Sequence, residues 1–415
     1  MPLSYYFYEY KQMHKILKAY YLVIIVLIAI VALIQACTKL VPAAPAFDQV
    51  LDGPVEGLNY QQNRQFLAGD RAFNKEIFTS LTGLGSIFVA TSCNSCHAGD
   101  GKGHPFTTLT RFGQTDSTGN KFLHAGGPQL QNRALPGYTP EQVPAGASFS
   151  KFTPPANTGL GFLEFVTDET ILAMADPNDS DGDGISGVPN WIILPSFILP
   201  DVNSISQNGR HIHRFGKKAA AFNLLHQTAN AYNQDIGITT TFEPTDVFSG
   251  LTIDPEIPDI TVRNVVFYLQ TLKAPVQRNQ HNNEVITGKN IFIKAGCESC
   301  HKQTLTTGFS PIDALSNKTF HPYTDLLLHD MGTGLDDGYT EGNAKTFEWR
   351  TPPLWGLGLS PNSQGGEYFL MHDGRAKNIE AAIQLHGGEA TNSKNKFNQL
   401  SLSDKNIILK FLESL

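Results

Sequence analysis

Two short runs constrain this chain more than anything else in it. Residues 93–97 read CNSCH and residues 297–301 read CESCH, so Cys93, Cys96 and His97 recur as Cys297, Cys300 and His301. In each run a pair of thiols is followed at once by an imidazole. That unit is the attachment signature of c-type haem. The thiols add across two vinyl groups of the porphyrin, and the adjacent histidine reaches the iron from the proximal face. Covalent attachment keeps the cofactor in place even where a domain has a thin core. Two C-x-x-C pairs would also suit a zinc site of four thiolates, but the histidine that follows both pairs favours haem. A thioredoxin-like use of C-x-x-C lacks its strand-then-helix context. The expectation is two covalently bound haem c groups.

The N-terminus agrees with export, which c-type haem assembly requires. MHKILKAYYLVIIVLIAIVALIQAC couples a lysine-bearing start to an apolar run and a small residue before Cys37, the layout of a secretory signal. LIQAC resembles a bacterial lipobox. Residues 1–36 would then be a signal peptide, Cys37 the lipidated N-terminus and residues 37–58 a tether. The expected product is a membrane-anchored lipoprotein facing the periplasm. An uncleaved anchor is the alternative, since the apolar run is near the lower edge for a bilayer span. The chain has five cysteines. With Cys37 as anchor and two haem pairs, none is left for a disulfide or a reactive thiol. The formal charge of −7 lacks the basic footprint of a nucleic-acid partner and leaves a basic or neutral redox protein as a fitting one.

At 415 residues the chain exceeds a single compact core on size grounds. Helical periodicity is legible in RQFLAGDRAFNKEIF, in ITVRNVVFYLQTLKAP, in EVITGKNIFIKAG and in the closing NIEAAIQLHGGEA and SDKNIILKFLESL. TDETILAMAD predicts a short helix with Thr167 or Asp168 as N-cap. HRFGKKAAAFNLLHQTANAYNQDIG predicts one long amphipathic helix. The 37 glycines and 24 prolines predict long irregular segments between these elements. Three features recur in order: Gly69-x-x-x-Phe73 and Gly288-x-x-x-Phe292 precede the haem motifs, and FTPPANTGLG and WRTPPLWGLG follow them. The fold class expected is mainly α, with two cytochrome c-like haem domains at residues 59–275 and 276–415, joined by long irregular loops and preceded by a lipoprotein signal.

The first of these domains carries an acidic insertion, DPNDSDGDGISG. Asp179, Asp181 and Asp183 alternate as in the start of an EF-hand loop, Gly184 permits the sharp turn, and Ile185 offers its carbonyl. The twelfth position is Asn190 instead of the bidentate glutamate. The expectation is one weakly held calcium ion, against the alternative of a solvated acidic turn.

Taken together, GLGSIFVATSCNSCHAGDGKG, HRFGKKA, LLLHDMGTGL, EWRTPPLWGLG and FLMHDGRAKNIEAAIQLHGGEA resemble the bacterial di-haem oxidoreductase family, a relative of the di-haem cytochrome c peroxidases and of MauG. The resemblance covers about residues 55–415. It implies one six-coordinate relay haem and one haem open to peroxide. The relay's distal ligand would lie in the helix after His372, Asp373 and Gly374. That places His386 where the peroxidases usually carry Met and MauG carries Tyr. The C-terminal haem would then be held by His301 and His386, and its potential would be low, since two imidazoles stabilise ferric iron more than His/Met does. Met331 and Met371 are alternative ligands, and His386 could instead merely cap its helix.

The same resemblance makes the haem at His97 the reactive one. Glu164 would stand in for the distal glutamate that moves a proton between the peroxide oxygens, with Gln129 and Gln131 as helpers. An ordinary surface or calcium-binding carboxylate is the competing reading of Glu164. His104 and His124 are fallback distal ligands. Arg350 and Arg375 are candidates to pair with haem propionates, a normal job for a forked cation. Trp349 or Trp355 could lie between the haems. The implied function is reduction of hydrogen peroxide, with electrons taken from a small donor cytochrome or similar redox protein and relayed from the C-terminal to the N-terminal haem. The alternatives are a non-catalytic di-haem electron-transfer cytochrome and a MauG-like oxidase acting on a partner protein.

Overall fold

The computed structural model describes residues 3–40, 45–116, 119–120, 122 and 127–415; His124 lies outside them. It divides into two units, Met1–Phe47 and Asp48–Leu415. The first is helix α1, Leu3–Leu40. Its stretch Gln12–Ala32 has a mean hydropathy of 2.3 and is long and apolar enough to cross a membrane. Such a helix is compatible with a signal or an anchor. The side chain of Cys37 is outside the described residues.

The second unit contains α2 (Tyr60–Asn74), α3 (Leu160–Glu164), α4 (Asp168–Leu172), α5 (Leu224–Asn230), α6 (Asp259–Thr271) and α7 (Asn283–Lys294). It continues with α8 (Ser360–Ser363), α9 (Ile379–Leu385), α10 (Thr391–Asn398) and α11 (Leu402–Ser414). Side-chain caps start many of these helices. Thr167 accepts from the Thr170 amide at α4, as the sequence predicts, and Asn59 forms a reciprocal capping box with Gln62 at α2.

The expectation of a mainly α chain is corrected. Helix makes up 38% and strand 12%, the strand lying in two-stranded antiparallel ribbons. Leu109–Phe112 pairs with Phe149–Phe152, Asn190–Ile193 with Arg210–His213, and Leu328–Asp330 with Glu348–Arg350. The glycine- and proline-rich connections must satisfy their backbone groups without a helix, and short ribbons do this. The long helix expected over 213–237 is also corrected. Arg210–His213 is a strand, and Phe215 and Ala221 bridge across a tight turn. Lys218 Nζ fills that turn by donating to the carbonyls of Lys345, Thr346 and Glu348. Only α5 is helical, and it runs into a single π turn, Ala231–Asp235.

The repeated Gly-x-x-x-Phe has a structural meaning. A Cβ on Gly69 would lie 2.1 Å from the Asn264 carbonyl oxygen of α6, and one on Gly288 would lie 2.4 Å from the Ile407 carbonyl oxygen of α11. Each glycine thus lets two helices cross at backbone contact. The phenylalanine one turn later is buried in both cases. Phe73 sits 5.9 Å from the His97 ring and Phe292 sits 6.4 Å from the His301 ring. The same crossing is built twice, once behind each C-x-x-C-H. One hydrophobic cluster surrounds α2, α5 and α6, and another surrounds α7, α9 and α11.

Candidate functional site

Both C-x-x-C-H units open onto one cavity of about 520 Å³, walled mainly by apolar side chains. Each unit folds as a single tight turn, Cys93–Ser95 and Cys297–Ser299. The Nδ1 of His97 lies 3.0 Å from the Pro155 carbonyl oxygen, and that of His301 lies 3.0 Å from the Tyr323 carbonyl oxygen. A carbonyl only accepts, so Nδ1 carries the proton in both rings and Nε2 keeps a free lone pair. Burial holds both imidazoles down, to about 4. They are neutral donors at neutral pH. Burial also pushes the thiols up, Cys93 and Cys297 to about 12 and Cys96 to about 11.

His386 follows the same pattern on α9. As the C-cap residue it turns into the cavity wall, and its Nδ1 lies 2.8 Å from the Ala382 carbonyl oxygen. Burial lowers its pKa. The field of His386 also reaches His301 and helps to lower it, so the two imidazoles serve the same end of the cavity. Met331, Met371, Trp349 and Trp355 line it as well. His372 stacks on Trp349 at 3.8 Å, and its Nε2 is occupied by Asp337 Oδ2 at 2.8 Å. His104 caps the turn Pro105–Thr107 by accepting from the Phe106 amide.

Lys102, Lys217 and Arg350 are among the cations that face the same space. They are enclosed by protein, although the cavity itself leaves them partly exposed. Burial pulls Lys102 down to about 8 and Arg350 to about 10, and pulls Lys217 well below its ordinary value. Lys217 is further depressed by Lys102 and Arg350. A cluster of like charges in an apolar cavity calls for an anionic occupant. Arg375 is not among them. It pairs with Asp373 at 2.7 Å and with Asp337 at 3.6 Å, outside the lining. Arg350, a candidate propionate partner from sequence, lies at the wall; sequence reading missed both lysines, although each belongs to a quoted motif, GDGKG and HRFGKKA.

These donors fit two haem groups. Each end offers two thiols and a neutral imidazole, the walls are apolar, and cations wait for carboxylates. They do not fit zinc. Among the described residues the carboxylate, histidine and cysteine groups that converge are Cys300–Asp325–His329 and Asp176–Asp179–Asp181, so the four thiols do not meet at one tetrahedral point.

A polar wall stands at the end that carries His97. Arg111, from the ribbon Leu109–Phe112, is ion-paired to Glu341 through Nε. Its Nη1 donates to Gln129 Oε1 at 3.2 Å and to Gln234 Oε1 at 3.1 Å. Tyr339 donates to Glu341 at 3.0 Å, and Gln131 donates to the Gln234 carbonyl at 2.8 Å. The wholly buried Gln129 keeps an Nε2 without a partner among the described residues. Burial raises Asp235 to about 7, with Arg111 opposing, and the field of Asp235 reaches Cys93 and Cys96. Arg111, Gln234, Asp235 and Glu341 all line the cavity.

Glu164 is elsewhere. Leu160 and Leu163 of α3 line the cavity, but the Glu164 carboxylate accepts from Gln270 Nε2 at 3.1 Å and from the Leu224 amide at 3.5 Å. Burial pushes it up to about 7. Because the fold binds that proton more tightly than an unfolded chain does, the stability it confers is complete below about pH 4.5 and is lost as pH rises towards 7. Asp235 and Asp100, raised to about 7 and about 6, act in the same direction. Relative to the parent chain, the melting temperature of Glu164→Gln should therefore rise as pH increases from about 5 to about 8. A melting profile unchanged by the substitution would show that the carboxylate is solvated.

In the acidic loop, Asp176, Asp179 and Asp181 bring carboxylate oxygens within 4.8 Å of one another. Asp183 accepts instead from the Ile185 amide at 2.8 Å. Asn190 leaves the expected ligand set. Its amide donates to the carbonyls of Lys218 and Glu341 and accepts from the Asn343 amide, which commits its side chain within the core. Asp176 takes part where the EF-hand count did not reach it.

A family model described as "Di-haem oxidoreductase, putative peroxidase" matches residues 150–415. No curated protein sequence matches the chain. Among solved structures, hydrazine synthase from Kuenenia stuttgartiensis, pressurised with xenon, is similar at 13% identity and a TM-score of 0.36, covering 90% of this chain and 98% of that one. A MauG-like protein associated with microbial copper homeostasis is similar at 15% identity and a TM-score of 0.38, covering 90% of this chain and 94% of that one.

Proposed function

We propose that this chain, which belongs to the di-haem oxidoreductase family and works in di-haem redox chemistry, is an exported c-type enzyme that reduces hydrogen peroxide to water. Cys93, Cys96 and His97 would hold one haem and Cys297, Cys300 and His301 the other. Bound there, the haem groups supply the electron storage and the peroxide-binding iron. Lys102, Lys217 and Arg350 offer the positive charge that anchors their carboxylates. The observation that carries the reading is a second imidazole: among the described lining residues only His386 joins His97 and His301 in keeping a free Nε2, since His329 and His372 are committed to carboxylates. The C-terminal end presents His386, an imidazole with its Nε2 free. The N-terminal end presents ionisable and amide groups, led by the Arg111–Glu341 pair and Asp235.

That difference separates a wire from a catalyst. An end closed by a second nitrogen donor passes electrons; an end walled by proton carriers can also move protons. Each peroxide consumes two electrons and two protons and leaves two waters. The electrons would come from a small donor cytochrome or similar redox protein, and a haem held by Cys297, Cys300 and His301 would relay them. Asp235 sits where it exchanges a proton near neutral pH, and Arg111 offers fixed positive charge to a leaving hydroxide. The N-terminal segment would deliver the protein to the periplasm and anchor it through a lipid on Cys37.

The test is steady oxidation of a reduced small cytochrome c that depends on added hydrogen peroxide. Sustained turnover by the full chain is expected. Absence of turnover, with both haems low-spin in every redox state, would overturn the reading in favour of a pure electron-transfer cytochrome.

A further inference from the structure

One buried ionic cluster lies at the C-terminal end of the cavity and has no part in moving protons to peroxide. His329 sits between two carboxylates. Its Nε2 is 2.8 Å from Asp325 Oδ2 and its Nδ1 is 2.7 Å from Glu389 Oε2. Carboxylates accept and do not donate, so both ring nitrogens must carry hydrogen and the ring is an imidazolium. His329 and Asp325 are almost wholly buried. The same Nδ1 is 3.5 Å from Cys300 Sγ.

The cluster also ties three segments together. Glu389 lies three positions after His386. Its Oε1 accepts from Ser186 Oγ at 2.5 Å and from the Asp330 amide at 3.3 Å. Ser186 closes the acidic loop by accepting the Asp176 amide at its carbonyl. A Cβ on Gly187 would lie 3.2 Å from His329 Cε1, so that backbone packs against the ring itself. The segment with the attachment cysteine, the segment with His386 and the acidic loop therefore share one set of buried charges.

We propose that Asp325, His329 and Glu389 act as positioning residues that set the reduction potential of the haem at Cys297 and Cys300. The inference rests on the reading that a haem is attached there. Two carboxylates and one imidazolium sum to one net negative charge, and their fields reach the Cys300 thiol that would hold the haem. Buried charge is poorly screened. A net negative charge stabilises ferric over ferrous iron and lowers the potential, a lever that acts from outside the ligand set.

Spectroelectrochemical titration of the full chain with both haems tests this. Glu389→Gln and Asp325→Asn each remove a negative charge and should raise the potential of the C-terminal haem. His329→Gln removes the positive charge and should lower it. Glu389→Asp keeps the charge and should leave the potential near wild type. The N-terminal haem should stay put throughout. Opposite shifts follow from opposite charges, whereas a merely structural loosening moves every variant the same way. Shifts of one sign in all variants, equal shifts in both haems, or no shift in Glu389→Gln and Asp325→Asn would each overturn the proposal. Those two substitutions decide the matter alone if His329→Gln does not fold. The mass of the peptide holding Cys297 and Cys300 is read in parallel, and a peptide without covalent haem would remove the attachment reading beneath the inference.

Discussion

His386→Ala is expected to convert the haem at Cys297 and Cys300 from low spin to high spin and to leave the N-terminal haem as it was. The imidazole is held by the Ala382 carbonyl at 2.8 Å, which fixes the ring and leaves Nε2 as its only free nitrogen. Its Cα has φ −64° and ψ 121°, a conformation alanine adopts readily. The backbone therefore tolerates the substitution, which removes the donor and, with it, the hydrogen bond to the Ala382 carbonyl. Losing a nitrogen donor weakens the ligand field, so the high-spin state becomes the ground state, and the potential of that haem rises with the loss of a ligand that favours ferric iron. Electron paramagnetic resonance reads the change directly. Added imidazole should restore the low-spin signal, because the space vacated lies in the cavity wall. An unchanged spectrum would remove His386 from the ligand set and leave Met331 or Met371, which line the same cavity.

What the sequence could carry here divides along a physical line. Chemistry written in consecutive residues was legible: the two C-x-x-C-H turns, the Thr167 cap, and the paired Gly69 and Gly288 whose missing side chains let helices touch. His386 was legible through resemblance and does lie in the wall. Chemistry assembled from distant segments was not. Arg111, Glu341 and the neighbours Gln234 and Asp235 come from separate stretches, and none of those stretches has a motif. Gln129 and Gln131 were singled out as helpers of Glu164, whereas their side chains bond to Arg111 and to the Gln234 carbonyl. Asn190 occupied the proper place in a loop count, yet tertiary packing of Lys218, Glu341 and Asn343 against it claimed its side-chain amide. The long helix over 213–237 failed for the same reason. Its periodicity was real, but a buried lysine with three carbonyl partners outweighs local propensity, which is worth well under about 1 kcal/mol per residue.

Glu341→Gln should cut peroxide turnover by about 10²–10⁴-fold, the usual worth of a positioned proton carrier, while covalent haem content and the low-spin signal of the C-terminal haem stay unchanged. The glutamate is buried against Arg111 and takes a hydrogen bond from Tyr339 at 3.0 Å. Glutamine keeps the shape and can still accept from both neighbours, but it cannot release or take up a proton. Arg111 would keep Gln129, Gln234 and the field of Asp235, so its charge is not stranded and the fold should hold. Steady-state kinetics with peroxide as the varied substrate should then show the loss in kcat, with cyanide affinity at the open haem little altered. Glu164→Gln is the discriminating control. Its carboxylate faces Gln270 and the Leu224 amide behind the wall. If Glu164→Gln loses turnover and Glu341→Gln keeps it, the proton travels by the glutamate that family resemblance implies, and the Arg111 wall serves only to hold the cavity open. If Glu341→Gln alone loses it, this chain moves its proton from the C-terminal half of the sequence onto the N-terminal haem, and the two halves form one catalytic site.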